Sequence, residues 1–279
     1  MNRFLPFLVI ALFLTEASTG QDHHLIDEIR NHSEGTALWW TGHNGWLIKS
    51  DDVLIGTDLV LEYSGRLAPS PVSSLELAEE LDILFITHGH GDHFGRATVR
   101  ALVENSQCIF VIPESTISIA AELGIPDDRV RVARPREPFG VGNVHVEPIR
   151  AIHGNARFAV YYEANLQDVG YVITVNGVTF LQPGDSVLLE DHLFLEDVDV
   201  LFFSPTEHNT YIEPSVILIN TLSPDHIFPQ HHSTMKYDER DRFWAKGYPD
   251  EVRLRLSKPL QERYHIMEPG VRFAIEGSK

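Results

Sequence analysis

The segment Thr87-His88-Gly89-His90-Gly91-Asp92-His93 places three imidazoles and a carboxylate within six residues. Imidazoles packed this densely repel one another when protonated, so the cluster calls for a partner that all of them favour. Neutral imidazole and carboxylate are the ligand types of zinc and similar divalent cations. Gly89 and Gly91 permit tight loop dihedrals, so alternate side chains can converge. His88 and His90 are spaced to serve one cation, and Asp92 and His93 a second. The chain has fifteen histidines and one cysteine, Cys108. It therefore has neither an intrachain disulfide nor a cysteine-based metal cage, and Cys108, in an apolar run, reads as core.

The elements that must hold this loop are legible around it. Ile83 to Thr87 is a continuous apolar run, as in a buried strand, and it feeds the loop directly. Thr36–Trp40, Trp46–Lys49 and Val53–Gly56 read as strands separated by Gly42-His43-Asn44-Gly45 and Ser50-Asp51-Asp52 turns. Helices are expected at 75–81, 94–104, 115–123 and 214–222, and over 254–264 with an interruption at Pro259. Further strands are expected at 108–112, 144–149, 198–203, 226–229 and 271–275. Residues 171–175 and 178–181 flank Asn176-Gly177, the strongest hairpin signal in the chain. Hairpins mixed with strand–helix alternation predict an α/β (α+β) fold: two mixed β-sheets face to face with helices outside, a four-layer αββα sandwich. With no linker or repeat in view, residues 21–279 are expected to form a single domain.

The pattern His88-x-His90-x-Asp92-His93 after an apolar strand resembles the signature of the metallo-β-lactamase fold superfamily. The resemblance extends through most of the chain, with three later segments matching: Ala151-Ile152-His153-Gly154, Gln182-Pro183-Gly184-Asp185-Ser186 and Ile227-Phe228-Pro229-Gln230-His231-His232. It implies that His88, His90 and His153 hold a first metal and that Asp92, His93 and His231 hold a second. Asp185 would bridge them, and His231 is favoured over His232 by its distance from Pro229. The opening Leu38–Lys49 and the pair His231-His232 resemble the branch containing ascorbate-6-phosphate lactonase. The resemblance implies a binuclear hydrolase with two divalent ions, zinc first, then manganese or iron. A hydroxide shared between the ions would attack an ester, lactone, amide or phosphoester bond of a small molecule. β-Lactamase activity is a less favoured variant, because the substrate-binding features of the antibiotic-hydrolysing enzymes are not found.

Asp92 has a second carboxylate oxygen with which to orient the nucleophile. His208, in Thr206-Glu207-His208-Asn209, reads either as a proton donor or as a loop histidine. His43 reads as lining the mouth or as a turn residue, and Asp58 as fixing a ligand histidine or ending a strand. His232 reads as supporting His231 or touching substrate, and Trp39 and Trp40 as split between core and site wall. Two other function classes stay open: a di-iron redox enzyme on the same fold, and a non-catalytic metal-binding protein.

The net charge of −18 makes nucleic acid and anionic membranes poor partners. Arg3, the apolar run Phe4–Leu14 and the small residues Ala17-Ser18-Thr19-Gly20 read as a signal peptide over residues 1–20. The run is shorter than the roughly twenty apolar residues of a membrane span. The expectation is an exported protein, periplasmic or extracellular, with no stable span after cleavage. The sequence does not decide oligomeric state.

Overall fold

Strand β1 (Thr36–Gly42) is buried along its whole length, so both of its faces need cover. The structure supplies that cover in layers. It is a computed structural model describing residues 25–155, 160–161 and 165–275; the leader expected over 1–20 lies outside them. Chain order after β1 gives β2 (Gly45–Ser50), β3 (Val53–Thr57), β4 (Ile83–Phe85), β5 (Ile109–Pro113) and β6 (Val130–Ala133). The next strands are β7 (Phe139–Val141), β8 (Val144–Arg150), the two-residue β9 (Gly154–Asn155) and β10 (Val160–Tyr161), and β11 (Val169–Val175). Then come β12 (Val178–Gln182), β13 (Val200–Phe203), β14 (His226–Pro229) and β15 (Arg272–Ile275).

One sheet runs in the order β15-β1-β2-β3-β4-β5-β6, the other β14-β13-β12-β11-β8-β7. Both are mixed. In the first, β1 to β3 pair antiparallel and β3 to β6 parallel. In the second, β7, β8, β11 and β12 pair antiparallel, and β12 to β14 parallel. The expected hairpin is present: Asn176 and Gly177, both with positive φ, join β11 to β12. Positive φ at both central residues matches the right-handed twist of the flanking strands.

Period-two alternation sorts the side chains into three apolar layers. Between the sheets lie Trp40, Trp46, Phe85, Tyr171, Phe202 and Phe228. The opposite face of the first sheet packs Trp39, Leu47, Leu84 and Phe110 under α1 (Leu25–Asn31), α2 (Ser74–Leu77), α3 (Arg96–Asn105) and α4 (Ile117–Glu122). The opposite face of the second packs Leu201, Phe203 and Ile227 against Leu218 and Ile219 of α6 (Glu213–Leu222). The short α5 (Glu190–Leu193) precedes α6, and α7 (Arg242–Ala245), α8 (Pro249–Arg253) and α9 (Lys258–Glu262) follow it. Helix, sheet, sheet and helix make the expected four-layer sandwich.

Two local expectations change. The helix expected over 254–264 is replaced by α8 and α9, because Pro259 sits in the first turn of α9, where a missing N–H costs no bond. Trp39 and Trp40 are both fully buried. Trp39 donates to Glu28 of α1 and Trp40 stands between the sheets, so neither walls the site.

Phe202 stacks on Trp46 with ring centroids 4.5 Å apart, at the centre of the inter-sheet layer. We expect Phe202→Ala to lower the unfolding free energy by about 3–5 kcal/mol, read from urea titration of the metal-free protein.

Candidate metal centre

The loops leaving one end of the sandwich carry every polar residue singled out above. His43 lies in the β1–β2 turn, Asp58 just beyond β3, and residues 88–93 beyond β4. His153 follows β8, Asp185 follows β12, His208 follows β13 and His231 follows β14. Ends of parallel strands leave backbone and side chains free to build a site in the crevice.

These loops bring the seven expected ligands together. The ligand atoms of His88, His90 and His153 lie within 4.8 Å of one another, and so do those of His43, Asp92, His93 and His231. Asp185 stands between the two groups. Its Oδ1 is 3.4 Å from His93 Nε2. Its Oδ2 is 3.2 Å from His231 Nε2 and 3.8 Å from His153 Nε2. Asn209 Nδ2 donates to Oδ1 at 2.9 Å and Asn44 Nδ2 at 3.4 Å. Gly184 precedes it with φ +62°, and a Cβ there would meet Thr87 Cβ at 2.7 Å, so the Gly-Asp turn needs its glycine.

Asp58 sets the ring orientations. It is 1% exposed. Its Oδ1 accepts from Thr87 N at 2.8 Å, and its Oδ2 from Thr87 Oγ1 at 2.7 Å and His93 Nδ1 at 2.8 Å. With its hydroxyl hydrogen given to Asp58, Thr87 Oγ1 accepts from His88 Nδ1 at 3.0 Å. One carboxylate thus orients two imidazoles, one in each group, and turns the Nε2 atoms of both inward.

Charge in the site follows from burial and crowding. Burial lowers the basicity of His88, and so do the neighbouring imidazoles of His93 and His153. Burial likewise brings His153 down to about 3 and His231 to about 4. His93 is the exception. Burial pushes it down, but Asp185, Asp58 and Asp92 together hold it well above the ordinary histidine range. Burial pushes Asp92 and Asp185 up, and the surrounding imidazoles hold both well below the usual carboxylate range. Neutral imidazoles beside ionised carboxylates are the protonation states that a divalent cation requires, with the His93 proton left to displace.

A direct test of fit is whether any donor atom lacks a partner. His88 Nε2 and His153 Nε2 are buried without a hydrogen bond. An unbonded buried nitrogen is costly, and a cation beside His88, His90 and His153 removes that cost. The residues present therefore fit a metal.

The remaining expected residues divide. His43 is 2% exposed and lies inside the cluster, not at its mouth, with Nε2 donating to Asp92 Oδ2 at 3.0 Å. Its positive φ of 56° in the turn aims the ring inward, over His231 at 3.8 Å between centroids. His208 Nε2 is 2.5 Å from Asp185 Oδ2. His232 turns away: its ring lies 4.9 Å from that of Trp40 and bonds Pro229 O and Ser233 Oγ. Asn44, Asn209, Tyr63, Phe243 and Trp244 went unread in the sequence. Asn44 looked like turn punctuation, and the three aromatics sit in no motif. A cavity of about 320 Å³ opens onto His90, Asp92, His153 and His208, with Tyr63, Phe243 and Trp244 on its other sides.

We expect Asp58→Asn to weaken metal binding about 10- to 100-fold, measured by competition with a chromophoric chelator. The Asn amide keeps an acceptor for Thr87 N but puts an N–H₂ donor where Oδ2 accepts from both His93 and the Thr87 hydroxyl.

Comparison with known proteins agrees with this geometry. The family model described as a beta-lactamase superfamily domain matches residues 37–231. A metal-dependent hydrolase of Desulforamulus reducens is 23% identical over 242 residues, covering 84% of this chain and 97% of that protein. Among solved structures, a metallo hydrolase of the archaeon Ignicoccus hospitalis superposes with a TM-score of 0.68 at 19% identity, covering 87% of this chain and 99% of the other. A diiron beta-hydroxylase of Streptomyces venezuelae gives 0.65 at 16% identity, over 88% of this chain and 54% of that one. At such identities these two likenesses show the fold alone. The matched domain spans the loops that carry the His/Asp cluster, and the chain belongs to the beta-lactamase superfamily, with the metallo-β-lactamase fold.

Proposed function

We propose that this protein is a binuclear hydrolase that cleaves an ester, lactone, amide or phosphoester bond of a small molecule. The observation that carries the reading is Asp185, set between two groups of converging imidazoles and within 4 Å of Nε2 atoms from both. His88, His90 and His153 would hold one cation, Asp92, His93 and His231 the other, with Asp185 shared. Zinc suits this nitrogen–oxygen donor set, and manganese or iron are the alternatives. Bound divalent ions acidify water and polarise a carbonyl or phosphoryl oxygen.

The chain's own groups supply the rest. Most side chains of the cluster are buried, and His90, Asp92, His153 and His208 face the cavity. Asp92, half-buried and lining that cavity, has its Oδ2 engaged by His43 and is placed to orient an attacking water. His208 also lines the cavity and is held against Asp185 Oδ2. We assign it the proton delivered to the leaving group, because it reaches both the cavity and the shared carboxylate. The likeness to the ascorbate-6-phosphate lactonase branch supports lactones as substrates to test early. The leader-like residues 1–20 support export as the setting, with a small molecule as the partner. No helix among the described residues is long and apolar enough to cross a membrane.

Chelation should abolish hydrolysis across a panel of lactones, esters, β-lactams and phosphate esters, and added zinc or manganese should restore it. Asp185→Asn and His90→Ala should each remove metal-dependent activity; full activity in either variant overturns the reading. Uptake of iron with oxygen consumption in place of hydrolysis would assign the protein to redox chemistry instead. His208→Gln should lower kcat about 100-fold or more with metal content unchanged, by elemental analysis and steady-state kinetics. Loss of metal in that variant would make His208 a ligand and not a proton donor.

A further inference from the structure

The cavity over the metal centre has two kinds of wall. One is the His/Asp cluster. Apart from Gly91, every other described lining residue is aromatic: Tyr63, Phe243 and Trp244. The rings are held in place from behind. Phe243 O accepts from His208 N at 3.2 Å, which ties α7 to the loop that carries His208. Trp244 stands edge-on to His43 and His231, at 6.3 and 6.4 Å between centroids. The Phe243 ring lies 6.1 Å from that of His208. Tyr63, 40% exposed, borders this cavity and an adjoining cleft of about 220 Å³ that also touches Val60, Phe94 and Ala97.

Two described cations on adjacent segments, Arg66 and Arg242, are committed elsewhere. Arg66 gives its guanidinium to the carbonyls of Thr41, Val60 and Ala68. Arg242, next to Phe243, bonds Tyr248 Oη and pairs with Glu239. The segment that follows Tyr63 is joined to residues 234–236 through Leu67 N to Thr234 O and Lys236 N to Gly65 O. They add two more exposed apolar side chains, Leu67 and Tyr237. An aromatic wall beside a polar catalytic cluster gains free energy by removing apolar ligand surface from water.

Resting on the hydrolase reading, we propose that the substrate carries an apolar group next to the scissile bond. It presents an aryl or alkyl group to the wall formed by Tyr63, Phe243 and Trp244. The class is an apolar-substituted ester or lactone, in preference to a sugar phosphate.

The test uses binding, so that it does not depend on turnover. Zinc-loaded protein is titrated calorimetrically with acetohydroxamate, octanohydroxamate and glucose 6-phosphate. Octanohydroxamate should bind about 100-fold tighter than acetohydroxamate, a fraction of the gain that full burial of six added methylenes would give. Trp244→Ala should cut that ratio about tenfold at unchanged zinc content. Tyr63→Ala, on an exposed loop, should cut it as well and stands in if the tryptophan variant fails to fold. Equal or undetectable affinities for the two hydroxamates overturn the proposal. So does a chain-length gain that survives in both variants, or tighter binding of glucose 6-phosphate than of octanohydroxamate. Failure of the hydrolysis panel sinks the hydrolase reading and leaves this binding result standing on its own.

Discussion

A single buried carboxylate, Asp58, holds the centre in its working arrangement. It receives the imidazole hydrogen of His93 directly and that of His88 through the hydroxyl of Thr87. Both rings are thereby held with Nε2 inward, one toward each group of donors. Without this anchor, each histidine could rotate or exchange tautomers, and a soft torsion would replace a preorganised ligand. The carboxylate is also tied to the backbone at Thr87 N, so its geometry is fixed by the adjacent strands β3 and β4. Ligand orientation is thus a consequence of sheet pairing.

The sandwich concentrates the chemistry at one end for a simple reason. Strands β1 to β5 and β11 to β14 are almost wholly buried, so the polar groups next to them gather in the loops. The parallel run from β3 to β6 and that from β12 to β14 send successive loops to the same rim. Seven separate segments then meet there. The inter-sheet aromatics form a stiff floor beneath them, and Trp46 connects floor to site by donating to Gln230, the neighbour of His231.

Electrostatically the cluster is balanced on a cation. Buried imidazoles resist protonation, with His153 and His231 brought to about 3 and 4. Against burial, His93, His43 and His231 hold the Asp92 carboxyl ionised, and His231, His93 and His208 that of Asp185. A low-dielectric pocket with three carboxylates and few protons is expensive unless positive charge enters it. The same low dielectric strengthens each ligand's interaction with a bound ion. On the proposal made above, the aromatic side of the cavity gives this centre its preference, because the donor set alone is compatible with many substrates.

Much of the centre could be read from the chain itself. The motif His88-x-His90-x-Asp92-His93 is local, and its chemistry follows from residue types and spacing. His153, Asp185 and His231 were within reach because each follows an apolar strand in a recognisable segment. The hairpin at Asn176-Gly177 and the two-sheet architecture were legible because backbone preference and apolar alternation act over a few residues. Other features were decided only by tertiary structure. His43 in a turn and Asp58 at a strand end are chemically ambiguous until long-range pairing brings them to Asp92 and His93. His231 and His232 are adjacent in sequence, yet strand direction turns one into the cluster and the other onto Trp40. Tyr63, Phe243 and Trp244 lie far apart in the chain or in a short helix without a motif, and only folding makes them one wall. Residue type and short-range spacing specify what a side chain can do, whereas which groups share a dry, crowded space depends on contacts between segments distant in sequence.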